Sequence, residues 1–182
     1  CSRHVFYFTR RWVMLPHLMN MPIEGPMKKL LFVCSGNICR SPTAEGVFRH
    51  LMLKDGTSES FHLDSCGIGP WHAGSPPDRR SIAAAEKRGI DIGYIRARQI
   101  TSADFHDFDL LLAMECQHQD RLKELAPPEA HGRIRMLLEP LAERMSRMEV
   151  PDPYYGGEMG FELVLDLMQE AYVAWMDKLK TS

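Results

Sequence analysis

The sequence predicts a single α/β domain built on a four-stranded parallel sheet with helices on both faces. From residue 27 onward, short apolar runs alternate with segments of helical period, the pattern of parallel strands joined by crossover helices. Of the 182 residues, 45% are hydrophobic and 25% are charged, which suits one sizeable core. The chain shows no internal repeat and no low-complexity tract. We therefore expect one domain.

The alternation places four strands and four helices along this domain. The predicted strands cover residues 29–33, 61–65, 109–114 and 133–138. The predicted helices cover residues 42–54, 77–88, 117–125 and 161–180. In the last helix, apolar residues recur at three- and four-residue steps, which gives one stripe to pack against the sheet. Gly89 stands where a left-handed cap would end the second helix.

The first 26 residues differ from the rest and are interpreted as an N-terminal appendage that is not part of the fold. They carry three arginines and one acidic residue, and they show neither helical nor strand period. Their longest apolar run, residues 12–16, is too short for a signal-peptide core or a membrane span. Residues 27–182 are therefore predicted to form the domain, with no membrane partner.

Charge and cysteine content limit the classes of partner. A net charge of -2 and a pI near 6.5 argue against nucleic acid or an anionic membrane surface as the main partner. Five cysteines without the even spacing of a small secreted domain indicate a reducing, cytoplasmic setting. The eight histidines lack the short paired spacings of a zinc site, so we expect no metal.

The most informative stretch is VCSGNICRSP, which runs from an apolar strand through Cys34 into a turn-rich loop and a helix start. Inward-facing N–H groups from residues 35–40 and the helix dipole would form an anion site that also favours the charged thiolate of Cys34. Arg40 would grip two oxygens of a phosphoryl group, with no cofactor needed. Ser41 and Pro42 are predicted as the N-cap and first residue of the helix. The alternative is a buried structural cysteine followed by a surface arginine.

Residues 33–45, VCSGNICRSPTAE, resemble the signature of the low-molecular-weight protein tyrosine phosphatases. The resemblance extends over nearly all of residues 27–180 and implies the phosphotyrosine protein phosphatase I-like fold. It implies that Cys34 attacks an aryl phosphate to give a phosphocysteine, which water then hydrolyses, while Arg40 binds the phosphoryl group. It also implies that the substrate-binding loop is formed by Ser35, Gly36, Asn37, Ile38, Cys39 and Ser41.

The same resemblance assigns a general acid and an aromatic entrance. Asp152 lies in the DPYY segment that supplies the acid in this family, and the flanking prolines restrict its backbone. Alone, it would be interpreted as a turn carboxylate. Tyr154, Tyr155 and Trp71 are then expected to face the ring of the substrate, the alternative being ordinary packing.

Three residues leave questions open within the resemblance. Cys39 either forms a reversible disulfide with Cys34 or fills apolar space under the loop. Arg88 and Glu115 stand where the family usually has histidine and aspartate, so supporting polar contacts are expected to be rearranged.

Two other functions share parts of this sequence pattern. An arsenate reductase of the same fold needs a relay of further cysteines, but no cysteine follows Cys116. A phosphopeptide-binding module without turnover would be expected to lose Cys34, Arg40 or Asp152, and all three are present. The predicted partner is a protein carrying phosphotyrosine, such as a tyrosine kinase, and the chain is expected to be a monomer or weak dimer.

Overall fold

The computed structural model describes residues 25–145 and 148–180. The predicted appendage therefore lies outside the described residues except for its last two. The strands are β1 (Lys28–Cys34), β2 (Phe61–Gly67), β3 (Leu110–Ala113) and β4 (Ile134–Met136). The helices are α1 (Arg40–Asp55), α2 (Arg79–Glu86), α3 (Asp104–Asp107), α4 (Cys116–Leu125) and α5 (Gly157–Lys180).

The four strands form one parallel sheet in the order β2-β1-β3-β4, which confirms the predicted fold class. Leu30 in β1 lies opposite Leu63 of β2 on one side and Leu110 of β3 on the other. The chain leaves β1 first toward β2 and later returns to the opposite side of β1. The carboxyl ends of β1 and β3 therefore flank a topological switch point, the usual position of a ligand site in open α/β sheets.

Alternate side chains of β1 enter two separate cores. Leu30 and Phe32 pack with α1, α2 and α5 on one face of the sheet. Leu31 and Val33 pack with α3 and α4 on the other face. Because both faces are covered, β1 is continuously apolar from Leu30 to Cys34 rather than alternating, as the sequence indicated.

The start of α1 differs from the prediction. The helix begins at Arg40, and Cys39 occupies the cap position without a side-chain cap hydrogen bond. The prediction that Ser41 is the N-cap was therefore wrong. Its hydroxyl lies 3.0 Å from the sulfur of Cys34 and is committed to the loop instead. Pro42 accordingly sits at the third helical position, where a missing N–H still costs no intrahelical bond.

The two ends of α2 carry the capping residues expected of a helix, whereas α5 starts earlier than predicted. Asp78 caps α2 by accepting a hydrogen bond from the backbone N–H of Arg80 at 2.8 Å. Gly89 has a φ of 72°, which confirms the predicted left-handed cap after that helix. The helix α5 begins at Gly157, earlier than the predicted residue 161.

Within the described residues, no helix is long and apolar enough to cross a membrane.

Candidate active site

A cleft of about 290 Å³ opens at the switch point between β1 and β3. The loop after β1 lines its base with Cys34, Ser35, Gly36, Ile38, Cys39 and Arg40. Its walls are Trp71, His72, Asp152, Tyr154 and Tyr155. The structure thus brings together side chains from three parts of the chain that the sequence had singled out separately, together with His72, which it had not.

Cys34 lies at the base of the cleft and is 3% exposed. The backbone N–H of Asn37 donates to its sulfur at 3.3 Å, and Ser41 Oγ lies 3.0 Å from the same atom. The Ser41 proton can go to this sulfur or to the carbonyl of Cys66 at 3.2 Å. A thiolate is the stronger acceptor of the two because it carries a full charge. Both donors therefore favour the reactive form of Cys34.

Asn37 and Ser41 do not line the cleft, and their side chains make hydrogen bonds within and around the loop. Asn37 is fully buried with a φ of 58°, a left-handed conformation that asparagine tolerates. Its amide nitrogen donates to Ser41 at 2.9 Å and to Ser65 at 3.0 Å, while its amide oxygen accepts from the backbone N–H of Arg98 at 2.9 Å. These side chains hold the loop in shape.

A buried carboxylate continues this network. The Ser65 hydroxyl donates to Glu45 at 2.7 Å, and Arg49 pairs with the same carboxylate at 2.9 Å. Burial raises the pKa of Glu45, against the opposing effect of these two partners. Because Asn37 offers only N–H donors to Ser65, the acceptor that Glu45 provides fixes the direction of the Ser65 hydroxyl.

Arg40 is held on several sides while it faces the cleft. One terminal nitrogen pairs with Glu115 and donates to the Val150 carbonyl at 3.2 Å. The other donates to Ser35 Oγ and to Asp152 Oδ2, each at 3.3 Å. Glu115 is thus part of the site despite its departure from the expected aspartate. The guanidinium is buried but paired, which offsets the cost of removing its charge from water.

Asp152 reaches the cleft from a turn that its own carboxylate stabilises. Its Oδ1 accepts from the backbone N–H of Tyr154 at 3.1 Å and caps a short 3-10 turn that starts at Pro153. The Asp152 side chain is partly exposed and lines the same cleft as the buried Cys34. This position suits a group that exchanges protons with a leaving group or with water.

Aromatic side chains form the entrance. Trp71 is 70% exposed, and a Cβ on Gly69 would lie only 2.3 Å from its ring, so the glycine allows the indole to lie flat over the backbone. Tyr154 and Tyr155 meet edge to face with ring centroids 5.1 Å apart, and Arg80 stacks over Tyr154 at 5.0 Å. The entrance therefore presents aromatic surface to whatever enters the cleft.

Comparison with known proteins decides the family. A sequence profile described as low molecular weight phosphotyrosine protein phosphatase matches residues 29–182. The chain belongs to this phosphatase family. As a member of it, the chain is a phosphoric monoester hydrolase that acts on phosphotyrosine in proteins by way of a phosphocysteine intermediate.

Relatives of this phosphatase occur in distant organisms. The low molecular weight protein-tyrosine-phosphatase YfkJ of Bacillus subtilis is 40% identical over 143 residues, which cover 79% of this chain and 90% of the relative. A phosphotyrosine protein phosphatase of Schizosaccharomyces pombe is 40% identical over 134 residues, covering 73% and 85%.

Solved structures of the phosphatase family match across almost their entire length. The crystal structure of YfkJ superposes with a TM-score of 0.81, at 37% identity, and covers 87% of this chain and 98% of that one. A protein tyrosine phosphatase from Entamoeba histolytica gives a TM-score of 0.80 at 36% identity, covering 85% and 97%. A Drosophila arginine phosphatase also shares the fold, with a TM-score of 0.76 at 29% identity over 82% and 96%. The fold alone therefore does not select the phosphorylated side chain.

Besides His72, two residues of the phosphatase site escaped sequence reasoning. His118, on α4, is 5% exposed, and its Nε2 lies 2.8 Å from Ser35 Oγ. Burial and the charge of Arg40 lower its pKa to about 4, so it is neutral at working pH. Glu45 supports the loop from α1. His118 belongs to no short motif, and Glu45, although it ends the stretch VCSGNICRSPTAE, shows its role only in the fold.

The other cysteines occupy different environments. Burial raises the pKa of Cys39 to about 12, so this thiol is protonated in the resting phosphatase. Cys116 is exposed, and Cys66 is buried in β2. All four described cysteines are free thiols. A disulfide between Cys34 and Cys39 stays a prediction.

Proposed function

We propose that Cys34, Arg40 and Asp152 carry out the phosphatase reaction on protein phosphotyrosine. The single observation that supports this most is that Cys34, Arg40 and Asp152 line the same cleft, with Cys34 and Arg40 at its base and Asp152 in its wall. Two hydrogen-bond donors, Ser41 Oγ and the backbone N–H of Asn37, lie within reach of that sulfur. The result is a nucleophile, an anion-binding group and an acid in one pocket.

In the first step the Cys34 thiolate attacks phosphorus. The sulfur–phosphorus bond forms as the bond to the phenolic oxygen breaks, and the electron pair leaves with that oxygen. Protonated Asp152 gives its proton to the leaving oxygen, which releases tyrosine. Arg40 and the backbone N–H groups of residues 35–40 bind the remaining phosphoryl oxygens, on which the transition-state charge lies.

In the second step water hydrolyses the phosphocysteine. The carboxylate of Asp152 takes a proton from water as its oxygen attacks phosphorus. The sulfur–phosphorus bond breaks, the electron pair returns to Cys34, and inorganic phosphate is released. The hydrogen bonds to the sulfur from Ser41 and Asn37 stabilise the departing thiolate.

The aromatic entrance supports an aryl phosphate as the substrate. Trp71, Tyr154 and Tyr155 present flat rings at the mouth, and a phosphotyrosine places its phosphoryl group one ring length below such a mouth. We propose residues 27–182 as the catalytic domain and a reducing, cytoplasmic compartment as its setting. The substrate is a phosphotyrosine protein, and a tyrosine kinase is one such protein.

The role of Asp152 is tested with Asp152→Asn on aryl phosphates with different leaving groups. Asparagine cannot give a proton, so kcat for phosphotyrosine peptide should fall on the order of 100-fold. The phenol released from para-nitrophenyl phosphate needs less help from an acid, so the rate of the first step should fall much less with this substrate. A phosphoserine peptide is the substrate control and should be hydrolysed poorly by the wild type. If kcat fell equally on both aryl substrates while the first chemical step limited the rate, the assignment of Asp152 as the acid would be contradicted.

A further inference from the structure

A second cleft lies on the other side of Trp71 from the catalytic cleft. Its volume is about 580 Å³, which is within the range of ligand sites. It shares two lining residues with the catalytic cleft, Ser35 and Trp71, so the two clefts adjoin at these residues. The catalytic reaction described above uses no other part of this second cleft.

The inner wall of the second cleft is apolar. It is formed by three side chains: Ile68, directly after β2; Ile100, in the segment before α3; and Leu125, at the end of α4. Leu125 is 44% exposed and Trp71 is 70% exposed, so two large apolar side chains face solvent around the same space. Exposed apolar surface that lines a concave site indicates an interaction surface rather than a random surface residue.

The polar residues around this cleft leave it without net charge. Arg121 is neutralised by Glu124 at 2.7 Å. His118 is neutral because burial, together with the charge of Arg40, lowers its pKa to about 4. The remaining polar side chains in the lining are uncharged, namely the hydroxyl of Ser35 and the amides of Gln99 and Gln117. An acidic or phosphorylated neighbour would find no free cation among these described residues, whereas an apolar group would find a wall.

We propose that the second cleft binds an apolar side chain from a residue that flanks the phosphotyrosine in the substrate. This inference rests on the proposed action on protein phosphotyrosine. In an extended peptide, residues near the phosphotyrosine lie only about 3.3 Å apart per position, so a flanking side chain can pass around Trp71 into the adjoining space. The apolar wall makes leucine, methionine or phenylalanine the fitting class.

The test uses the full chain and a set of phosphotyrosine peptides. Each peptide has an alanine background, with leucine or glutamate placed singly at positions from three before to three after the phosphotyrosine. We expect one or two positions at which leucine raises kcat/KM roughly five- to twenty-fold over alanine, the range for partial burial of such a side chain. Glutamate at those positions should give no gain.

Two variants connect that preference to the cleft. Leu125→Asp places a charge in the apolar wall, and Gln117→Trp fills the space from the rim. Both should remove the leucine preference while kcat/KM for para-nitrophenyl phosphate stays within about twofold of wild type. Leu163→Asp is the matched control, since Leu163 is 40% exposed on α5, the helix on the opposite face of the sheet, and it should keep the preference.

Three outcomes would overturn the inference: no position at which leucine is preferred, a preference for glutamate, or a leucine preference that survives both cleft variants. Each differs from failure of the proposed function. If the wild type hydrolysed para-nitrophenyl phosphate but none of the phosphotyrosine peptides, the proposed substrate class itself would be wrong, and the inference would fall with it.

Discussion

Asn37 joins three parts of the site through one amide group. Its two N–H donors reach Ser41 and Ser65, and its oxygen accepts from the backbone of Arg98. Its own backbone N–H donates to the Cys34 sulfur. One side chain therefore sets the loop conformation, the direction of the Ser41 hydroxyl and the distance from the loop to β2.

Replacing Asn37 by alanine should lower kcat on the order of 10- to 100-fold and reduce stability by about 2 kcal/mol. Alanine adopts the φ of 58° less readily and leaves Ser41 and Ser65 without their donor. Steady-state kinetics and urea unfolding measure the two effects. Asn37→Asp, which keeps an oxygen for Arg98, is the informative second variant. A wild-type kcat in both variants would show that the network does not position the nucleophile.

His118 should make stability depend on pH. Its pKa is lowered to about 4 in the fold, whereas an unfolded histidine titrates near its ordinary value of 6.5. Between these values the unfolded chain binds a proton that the folded chain does not, so the free energy of unfolding should fall as pH falls. The loss should approach roughly 3 kcal/mol near pH 4.

The check on His118 is urea unfolding of wild type and His118→Gln from pH 7 to pH 4. Glutamine cannot be protonated, so the variant should show a shallower decline over this window. His106→Gln, at an exposed position on α3, should retain the wild-type slope. If His118→Gln declined as steeply as the wild type, the histidine would not be the buried neutral group described here.

At the scale of residues, the sequence could reveal the groups that follow a local motif and little else. Cys34 and Arg40 share one short loop, and Asp152 sits between two prolines, so each was predictable. The Val150 carbonyl and His118 have no local signal. They meet the loop because the sheet brings the ends of β1 and β3 together, a long-range contact that a one-dimensional pattern does not contain.

At the scale of elements, the switch point between β1 and β3 explains why the site lies where it does. The loop after β1 carries Cys34 and leads to Arg40. Glu115 lies two residues after the end of β3 and pairs with Arg40. Parallel neighbours end at the same edge of the sheet, so both groups arrive without any special loop. Strand order, rather than loop length, assembles the anion site.

Arg88, which stands where the family usually has histidine, forms ion pairs with the C-terminal helix. It pairs with Glu162 at 2.6 Å and with Asp166 at 2.8 Å, both on α5, and so ties the segment after α2 to the C-terminal helix. Arg88→Ala should lower stability by about 0.5–1 kcal/mol, since the pairs are partly exposed, and leave kcat unchanged. Thermal unfolding and para-nitrophenyl phosphate assays measure this, with Arg121→Ala as a surface control. A tenfold loss of kcat would instead connect Arg88 to the phosphate loop.

Element types were predictable, while several boundaries were not. Strands and the long helices follow apolar periodicity, and all four strands were found. The start of α1 was misplaced because the Ser41 hydroxyl serves Cys34 instead of the helix end. The four-residue α3 was missed because it is too short for a periodic signal.

For the whole molecule, one sheet with helices on both faces leaves its catalytic groups at a single edge. The apolar composition and the β-α alternation predicted that architecture. They did not predict two adjoining clefts around Trp71, because their shape depends on packing among distant segments. Fold class followed from sequence pattern, whereas surface shape required the structure.

The central claim is that Cys34 is the nucleophile of a phosphotyrosine phosphatase. The most direct measurement is hydrolysis of para-nitrophenyl phosphate by the full chain and by Cys34→Ser, each also titrated with inorganic phosphate. The wild type should turn over, and Cys34→Ser should lose at least about 1,000-fold in activity while it still binds phosphate. A Cys34→Ser variant that keeps substantial activity, or a wild type that binds phosphate without turnover, would contradict the claim.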